Sequence, residues 1–379
     1  MLSHIIPTSI VSVSREGKRF HIVIGYAKRK FSTINNGIDI EKFVIDDNID
    51  RLKQYSNMSF DCWDIIKSPY TKKTRSALCL DVIEHIPYES EDDFINNIKE
   101  MNRPYLIAEI GINHNGDLNI AKKIINFAAD AGFDAVKFQK RNVEKVYTKV
   151  FLDSFRESPW GKTQRDQKLG LEFDRSEYQE INKHCKDKNI KWSASAWDID
   201  SQDFIASFNV KFNKLASPML GHKPLIKKIA SEKKKTFIST GMATLKEIDE
   251  VINFFEKEKC PFEIMHCNSI YPMPENEANL MCIQTLKKRY NCNVGYSGHE
   301  TSLLKVCITA VALGATSIER HVTLDRTMYG SDQAASIAVN SLKSFVETIR
   351  MISLIKGDGI KKITDKEKVA RKKLRVEIE

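Results

Sequence analysis

The sequence predicts a closed (β/α)8 barrel with an N-terminal α/β extension and a short charged C-terminal tail. Three observations carry this. From about Pro104 short β-rich runs alternate with helical patterns eight times. The eight units fill roughly 250 residues, the usual size of such a barrel. No Gly-x-Gly-x-x-Gly follows the first run, which disfavours a dinucleotide-binding version of the open doubly wound sheet, the structural alternative. Strand–helix alternation implies parallel pairing, because each crossover must pack a helix over the sheet.

The elements follow in order. In residues 1–100, RFHIVIGY (19–26) and ALCLDVIEHI (77–86) read as buried strands and EDDFINNIKEM (91–101) as a helix. Residues 101–356 form the barrel. Its strands are YLIAEI (105–110), DAVKFQ (134–139), KWSASAW (191–197), KFNKLA (211–216), KTFIST (235–240), FEIMHC (262–267), NVGYS (293–297) and SIERHV (317–322). The helix after the first strand places Ile120, Ile124, Phe127 and Ala131 on one face and ends at Gly132. LKEIDEVINFFEKEK repeats the pattern with Leu245, Ile248, Val251, Ile252 and Phe255. Residues 357–379 form the charged tail, a helix or a loose end.

Composition narrows the class. The chain has 379 residues, 42% hydrophobic and 29% charged, as in a globular soluble protein. No stretch approaches the ~18 apolar residues of a membrane span. The first residues lack the basic start and cleavage site of a signal peptide. Lys and Arg number 59 against 50 Asp and Glu, a net charge of +9. Much of the excess lies in Lys356–Glu379, and the balance suits anionic small molecules. No zinc finger, RNA-binding aromatic signature or long basic block is present, so nucleic acid is not expected as a partner. The eight cysteines stand singly, without a Cys-x-x-Cys pair. That reads as reduced thiols and a cytoplasmic protein. The run LDVIEHIP is similar to a segment of Rossmann-like methyltransferases, but no glycine-rich loop precedes it. A plain extension packing on the barrel is the favoured reading of residues 1–100, with a methyltransferase-like remnant the alternative.

Active sites of such barrels lie at the C-terminal ends of the strands. Polar residues recur there: Glu109, Lys137 with Gln139, Ser195, Lys214 with Ser217, Thr240, His266 with Ser269, Ser297 with His299, and Glu319 with His321. Polar groups in apolar strands are costly unless satisfied, so recurrence on nearly every strand favours a site over scattered core polar residues. His299 ends the seventh strand and His321 the eighth. Neighbouring strands lie ~4.8 Å apart, so both imidazoles can reach one metal ion and leave open coordination positions. The bland alternative is one histidine bonded to backbone and one packed. His266 is a candidate for the surroundings of the site, and His114 lies in a loop, INHNGD, suited to tight backbone geometry near a ligand. His4, His21, His85, His184 and His222 read as surface or structural. Lys137 and Lys214 sit at strand ends and need anionic partners. Phosphate plus carboxylate of one substrate would serve both, two salt bridges to strand carboxylates would also serve, and a Schiff-base lysine is a third reading. The paired histidines argue against the third.

These residues fall in recognisable motifs. AEIGINHNGD (108–117), VKFQ (136–139), KLAS (214–217), ISTGMAT (238–244), HCNSIYP (266–272), GYSGHE (295–300), IERHVTLDR (318–326) and YGSDQAAS (329–336) together resemble the sialic acid synthase (N-acetylneuraminate synthase) family. The resemblance runs from about 104 to 355, roughly two thirds of the chain. Each motif alone is weak, but eight in order at the right strand ends are specific. The resemblance implies condensation of phosphoenolpyruvate with an N-acyl-hexosamine aldehyde, N-acetylmannosamine-like, to give a nine-carbon sialic-type acid and phosphate. It implies a divalent ion, Mn²⁺ or else Mg²⁺ or Co²⁺, on His299 and His321. Lys137, Ser195, Lys214, Ser217, Ser269 and Ser297 would surround phosphoenolpyruvate. Gln139, Tyr271 and Asp332 would meet the sugar, and Glu109 would be the acid–base carboxylate. Ser195 and Ser269 stand where other members carry Thr and Asn.

The family's usual homodimer has a C-terminal antifreeze-like domain that covers the partner's site. Here VARKKLRVEIE stands about where that domain would begin. The resemblance therefore leads to the expectation of a more open site, a different sugar, or another chain. Shorter relatives share an insert similar to FRESPWG…QKLGLEFD (155–174). Competing readings are condensation with another aldose or an aldose phosphate, a Schiff-base aldolase, and a non-catalytic phosphoenolpyruvate-binding barrel.

Overall fold

The structure is a computed structural model that describes residues 8–15, 18–25, 103–357 and 359–375. The chain divides into two units, Met1–Arg103 and Pro104–Glu379. In the first, β1 (Thr8–Arg15) pairs antiparallel with β2 (Lys18–Gly25), where the sequence predicts its first strand. The strand expected at 77–86 and the helix expected at 91–101 lie outside the described residues.

The second unit is the barrel. Its strands are β3 (Tyr105–Gly111), β4 (Ala135–Lys140), β7 (Lys191–Ala196), β8 (Asn213–Leu215), β9 (Thr236–Ser239), β10 (Phe262–His266), β11 (Val294–Gly298) and β12 (Ser317–Thr323). Between β4 and β7 the chain makes an excursion that carries the antiparallel hairpin β5 (Phe155–Ser158) and β6 (Gly161–Thr163). The eight strands pair parallel in chain order, and β12 pairs with both β11 and β3, which closes the ring. A two-residue strand, β13 (Ile337–Ala338), adds to β12.

Alternation along each strand sorts side chains between two environments. On β3, Leu106, Ala108 and Ile110 join the large apolar layer between strands and helices, whereas Ile107 packs with Ala135, Phe212, Phe237 and Met265 in a separate inner cluster. Glu109 follows Ile107 on the same parity and is buried. On β12, Ile318 and Val322 face the helix layer while Glu319 and His321 share the other parity. Apolar side chains thus plug the barrel, and the inward positions nearer the strand ends are polar.

The helix after β3 spans Leu118–Ala131. The Asp117 carboxylate caps it by accepting from the Asn119 and Ile120 N–H groups, and Gly132 ends it at φ 91°. Such an N-cap contributes about 1 kcal/mol. Its buried face is Ala121, Ile124, Ile125 and Ala128, not the stripe through Phe127, which is 46% exposed. Both stripes contain Ile124. Helix packing against a barrel is close, so the face with two alanines goes inward. Helix Leu245–Lys257 buries Ile248, Val251, Ile252 and Phe255 as expected, and Leu245 at its first turn is exposed. In the tail, helix Asp365–Leu374 carries a Thr364–Glu367 capping box and buries no residue. No helix among the described residues is long and apolar enough to cross a membrane.

Candidate active site

The C-terminal ends of the strands surround a cavity of 370 Å³. That is within the ~300–1,000 Å³ range of small-molecule sites. Every residue to which the resemblance gives a role lines it: Glu109, Lys137, Gln139, Ser195, Lys214, Ser217, Ser269, Tyr271, Ser297, His299, His321 and Asp332. Strands β3, β4, β8 and β12 each supply one charged group to its centre. Lys137 on β4 lies 2.6 Å from Glu109 Oε2 on β3 and donates to Ser195 Oγ on β7 at 2.8 Å. Its ammonium is 3.9 Å from Glu319 Oε1 on β12. Lys214 on β8 lies 3.1 Å from Glu319 Oε2 and 3.0 Å from the Met265 sulfur. Ser297 Oγ donates to Glu319 Oε1 at 3.1 Å, and Gln139 Nε2 donates to Glu109 Oε1 at 3.2 Å. The lysine–carboxylate pairing left open by the sequence is therefore present within the chain, two cations against two anions.

All four charged groups are nearly inaccessible to solvent. Burial pushes the Glu109 carboxyl above the ordinary carboxylate range, although Lys137 pulls the other way. Burial acts likewise on Glu319, but Lys137 and Lys214 together outweigh it and hold that carboxyl low. The two carboxylates are thus pushed apart, with Glu109 the one able to take up a proton near neutrality. Burial lowers the Lys214 ammonium against the attraction of Glu319, and nearby Lys137 adds to the lowering. The Lys214 ammonium has three N–H donors, and its partners are one carboxylate and one thioether, which leaves capacity for an anionic ligand.

His299 and His321 lie beside this quartet, ring centroids 5.5 Å apart. His299 Nδ1 is 2.6 Å from the Asn268 carbonyl oxygen, so it carries the proton and Nε2 carries the lone pair. Tyr271 OH is 2.9 Å from that Nε2. His321 Nδ1 is buried without a hydrogen-bond partner, with Asp332 Oδ2 3.8 Å away. Burial, reinforced by His321, lowers His299 to about 4, and burial lowers His321 as well. Both shifts favour the neutral ring, the form a metal ion requires. Among the described residues no group of three or more His, Cys, Asp or Glu is placed so that it could hold a metal ion, so the two imidazoles are the protein donors to consider. The donor set fits a divalent ion held by two imidazoles with its other positions open. Gly111, at φ 55°, makes the close approach possible. A Cβ there would press on Gln139, Glu109 and His321 within 3.4 Å.

The rim comes from outside the strands, and the sequence reading missed it. Arg141, Tyr147, Lys168 and Trp197 line the cavity, as does Ser239 within β9. The Arg141 guanidinium hydrogen-bonds Gln139 Oε1, donates to Tyr147 OH at 3.1 Å and stacks 4.6 Å from the Trp197 ring centroid. Tyr147 and Lys168 belong to the excursion between β4 and β7, where no strand periodicity points to them. Trp160 of the same excursion meets Tyr329 edge-on, 5.8 Å between centroids, and covers Gly170, where a Cβ would run into its indole. Glu319 was among the strand-end polar residues but had not been assigned a role. Its signal was its parity with His321.

Other candidates sit elsewhere. His266 Nε2 donates to the Ala278 carbonyl oxygen at 2.8 Å, and the ring lines a neighbouring cavity of 540 Å³ along with Thr240. His114 stacks 4.1 Å from Phe173, and its Nδ1 accepts from the Gly116 N–H. His222 Nδ1 caps helix Lys223–Ser231. His184 Nε2 is 2.8 Å from Asn126 Oδ1. Cys185, Cys260, Cys267, Cys282, Cys292 and Cys307 are free thiols.

Comparison with known proteins places these features in context. A model of the NeuB family matches residues 124–361. The chain is 39% identical over 273 residues to the N,N'-diacetyllegionaminic acid synthase of Campylobacter jejuni subsp. jejuni serotype O:2, covering 70% of this chain and 81% of that protein. It is 34% identical to the N-acetylneuraminate-9-phosphate synthase of Homo sapiens over 71% of this chain and 76% of that one. Its fold is similar to the crystal structure of N-acetylneuraminic acid (sialic acid) synthetase from Leptospira borgpetersenii serovar Hardjo-bovis in complex with citrate. That match has a TM-score of 0.64 and 33% identity, and covers 73% of this chain and 94% of the other.

Proposed function

From the premise that this chain belongs to the NeuB family of phosphoenolpyruvate-dependent sugar-acid synthases, we propose that it joins phosphoenolpyruvate to the open-chain aldehyde of an N-acyl-hexosamine resembling N-acetylmannosamine. The products are a nonulosonic acid and phosphate. One observation carries this reading: two buried lysines share a cavity with two buried carboxylates and two adjacent imidazoles.

Lys137 and Lys214 bind the phosphate and carboxylate of phosphoenolpyruvate by charge-assisted hydrogen bonds. The substrate anions enter where Glu109 and Glu319 already neutralise both ammonium groups, so binding favours a protonated Glu109. Ser195, Ser217, Ser269 and Ser297 supply further polar contacts around the same molecule. Gln139, Tyr271 and Asp332 orient the sugar so that its C1 faces C3 of the enol. A divalent ion on His299 and His321, Mn²⁺ in our reading, supplies Lewis-acid polarisation of the aldehyde when bound. The enol π electrons form the C3–C1 bond, and protonated Glu109 gives its proton to the aldehyde oxygen, which leaves Glu109 as a carboxylate. Positive charge appears at C2 of the former phosphoenolpyruvate. Water adds there, and Glu109 in its carboxylate form accepts the water proton. The bond from C2 to the phosphate oxygen then breaks and the C2 hydroxyl gives its proton to the departing phosphate, which leaves the keto group.

We further propose that the protein works in the cytoplasm as a homodimer. The exposed Val150, Phe155 and Leu169 give the excursion an apolar surface that supports the second proposal. The test of function is release of phosphate from phosphoenolpyruvate with Mn²⁺ across a panel of aldoses, with product mass read by mass spectrometry. A nine-carbon keto acid from an N-acyl-hexosamine is the expected product. Binding of phosphoenolpyruvate without turnover on any aldose would overturn the reading.

A further inference from the structure

We infer that the buried Arg320–Glu300 pair is a positioning device that sets the separation of the His299 and His321 imidazoles. The inference rests on the proposed ion site and concerns residues that do not face the cavity.

The β11–β12 ladder ends at Gly298↔Arg320. His299 is the first residue beyond it, so backbone pairing between those strands does not hold its ring at a fixed distance from His321. A side-chain staple continues where the ladder stops. Arg320 lies on the opposite parity from Glu319 and His321, behind the site, and is 1% exposed. Its Nη1 donates to Glu300 Oε1 at 2.6 Å and to the Ser302 carbonyl at 3.1 Å. Its Nη2 donates to the Glu300 carbonyl at 2.6 Å and reaches the Ala335 carbonyl at 3.5 Å. One guanidinium therefore ties together the segment after His299, the strand carrying His321 and the segment after Asp332. Tyr296 OH donates to the other Glu300 oxygen at 2.9 Å. Gly298 leaves the space into which that carboxylate folds back, since a Cβ there would meet both Glu300 and Tyr296.

A buried ion pair is weak ground for stability, because desolvation offsets its attraction. Here each member adjoins one imidazole in sequence, Glu300 after His299 and Arg320 before His321. Such a pair fixes geometry one residue away from each imidazole; groups bonded directly to metal ligands change ion affinity by ~10–100-fold when lost, and this pair acts one covalent step further out.

The test is Mn²⁺ affinity of the metal-free full chain, read by electron paramagnetic resonance of free Mn²⁺, beside thermal melts. Arg320→Met combined with Glu300→Leu removes the pair without stranding a charge, and Glu300→Gln is the milder second variant. The expected result is at least tenfold weaker binding in the double variant and a smaller loss in Glu300→Gln, both with cooperative melts. Arg320→Lys, which keeps the charge, should recover part of the affinity. If Glu300→Gln and every folded variant bind Mn²⁺ as the wild type does, the pair is structural only and the inference fails. If the wild type itself binds no Mn²⁺, the ion site fails and the inference falls with it, an outcome distinct from the first.

Discussion

Replacing Glu109 by Gln removes one negative charge from the centre of the site while keeping its shape. Lys137 loses the carboxylate at 2.6 Å but keeps the Ser195 hydroxyl at 2.8 Å and Glu319 at 3.9 Å. The amide has one acceptor where the carboxylate offered two, and Lys137 and Gln139 both require one. Stranding a buried charge outright costs about 3–5 kcal/mol. Two remaining partners reduce that, and burial already disfavours the Glu109 anion, so the stability loss should be about 1–3 kcal/mol. The effect on turnover should be larger. Loss of the base that takes the water proton lowers kcat by about 10²–10⁴-fold. That corresponds to ~3–5 kcal/mol of barrier. The assay is phosphate release at saturating phosphoenolpyruvate, Mn²⁺ and acceptor, with phosphoenolpyruvate binding followed by calorimetry. Binding should stay within a few-fold of wild type while kcat collapses. A Glu109→Gln protein turning over at the wild-type rate would remove Glu109 from the mechanism and with it the role assigned to its raised proton affinity.

Three further outcomes are expected. His299→Ala or His321→Ala should lose Mn²⁺ binding and turnover together, and excess chelator should silence the wild type; activity that survives either would point to Lys137 or Lys214 as a Schiff-base former, detectable by borohydride trapping of pyruvate. Lys168 is held down to about 8 by burial and then by Arg141 and Arg156, against the opposite pull of Asp332 and Glu172. It is cationic below that pH and neutral above it, so the KM for phosphoenolpyruvate should rise as pH passes 8, and Lys168→Gln should flatten that limb; an unchanged profile in the variant would exclude Lys168 from substrate attraction. Gly170→Ala drives a methyl into the Trp160 indole and should destabilise the barrel by about 1–3 kcal/mol, visible as a lowered Tm; an unchanged Tm would mean the excursion is free to shift.

How much was legible depends on whether the backbone repeats. Each barrel strand was found within two residues of its observed ends, because alternating environments on a parallel strand leave a strong pattern. The site residues on those strands were legible for the same reason, since a Lys or His at the end of an apolar run stands out. The excursion between β4 and β7 mixes four-residue helices with a hairpin and has no period, so Tyr147 and Lys168 gave no signal. Arg141 and Trp197 each stand one residue past their strands, where the alternation that marks an inward side chain has ended. The helix face through Phe127 failed for a different reason: two stripes through Ile124 satisfy the same spacing, and only the closeness of helix–strand packing selects the alanine-bearing one.

The closed ring and the excursion divide the labour in a way that matters for descent. Ammonium and carboxylate groups at the centre are anchored on strands, each braced by two neighbours, so replacing any of them disturbs the whole cylinder. Arg141, Tyr147 and Lys168 stand outside that scaffold, with Trp160 pinning their segment to the Tyr329 turn. A lineage can therefore exchange the segment at the rim and leave the lysine–carboxylate centre intact, which makes substrate capture at the cavity mouth the trait most open to drift in this architecture.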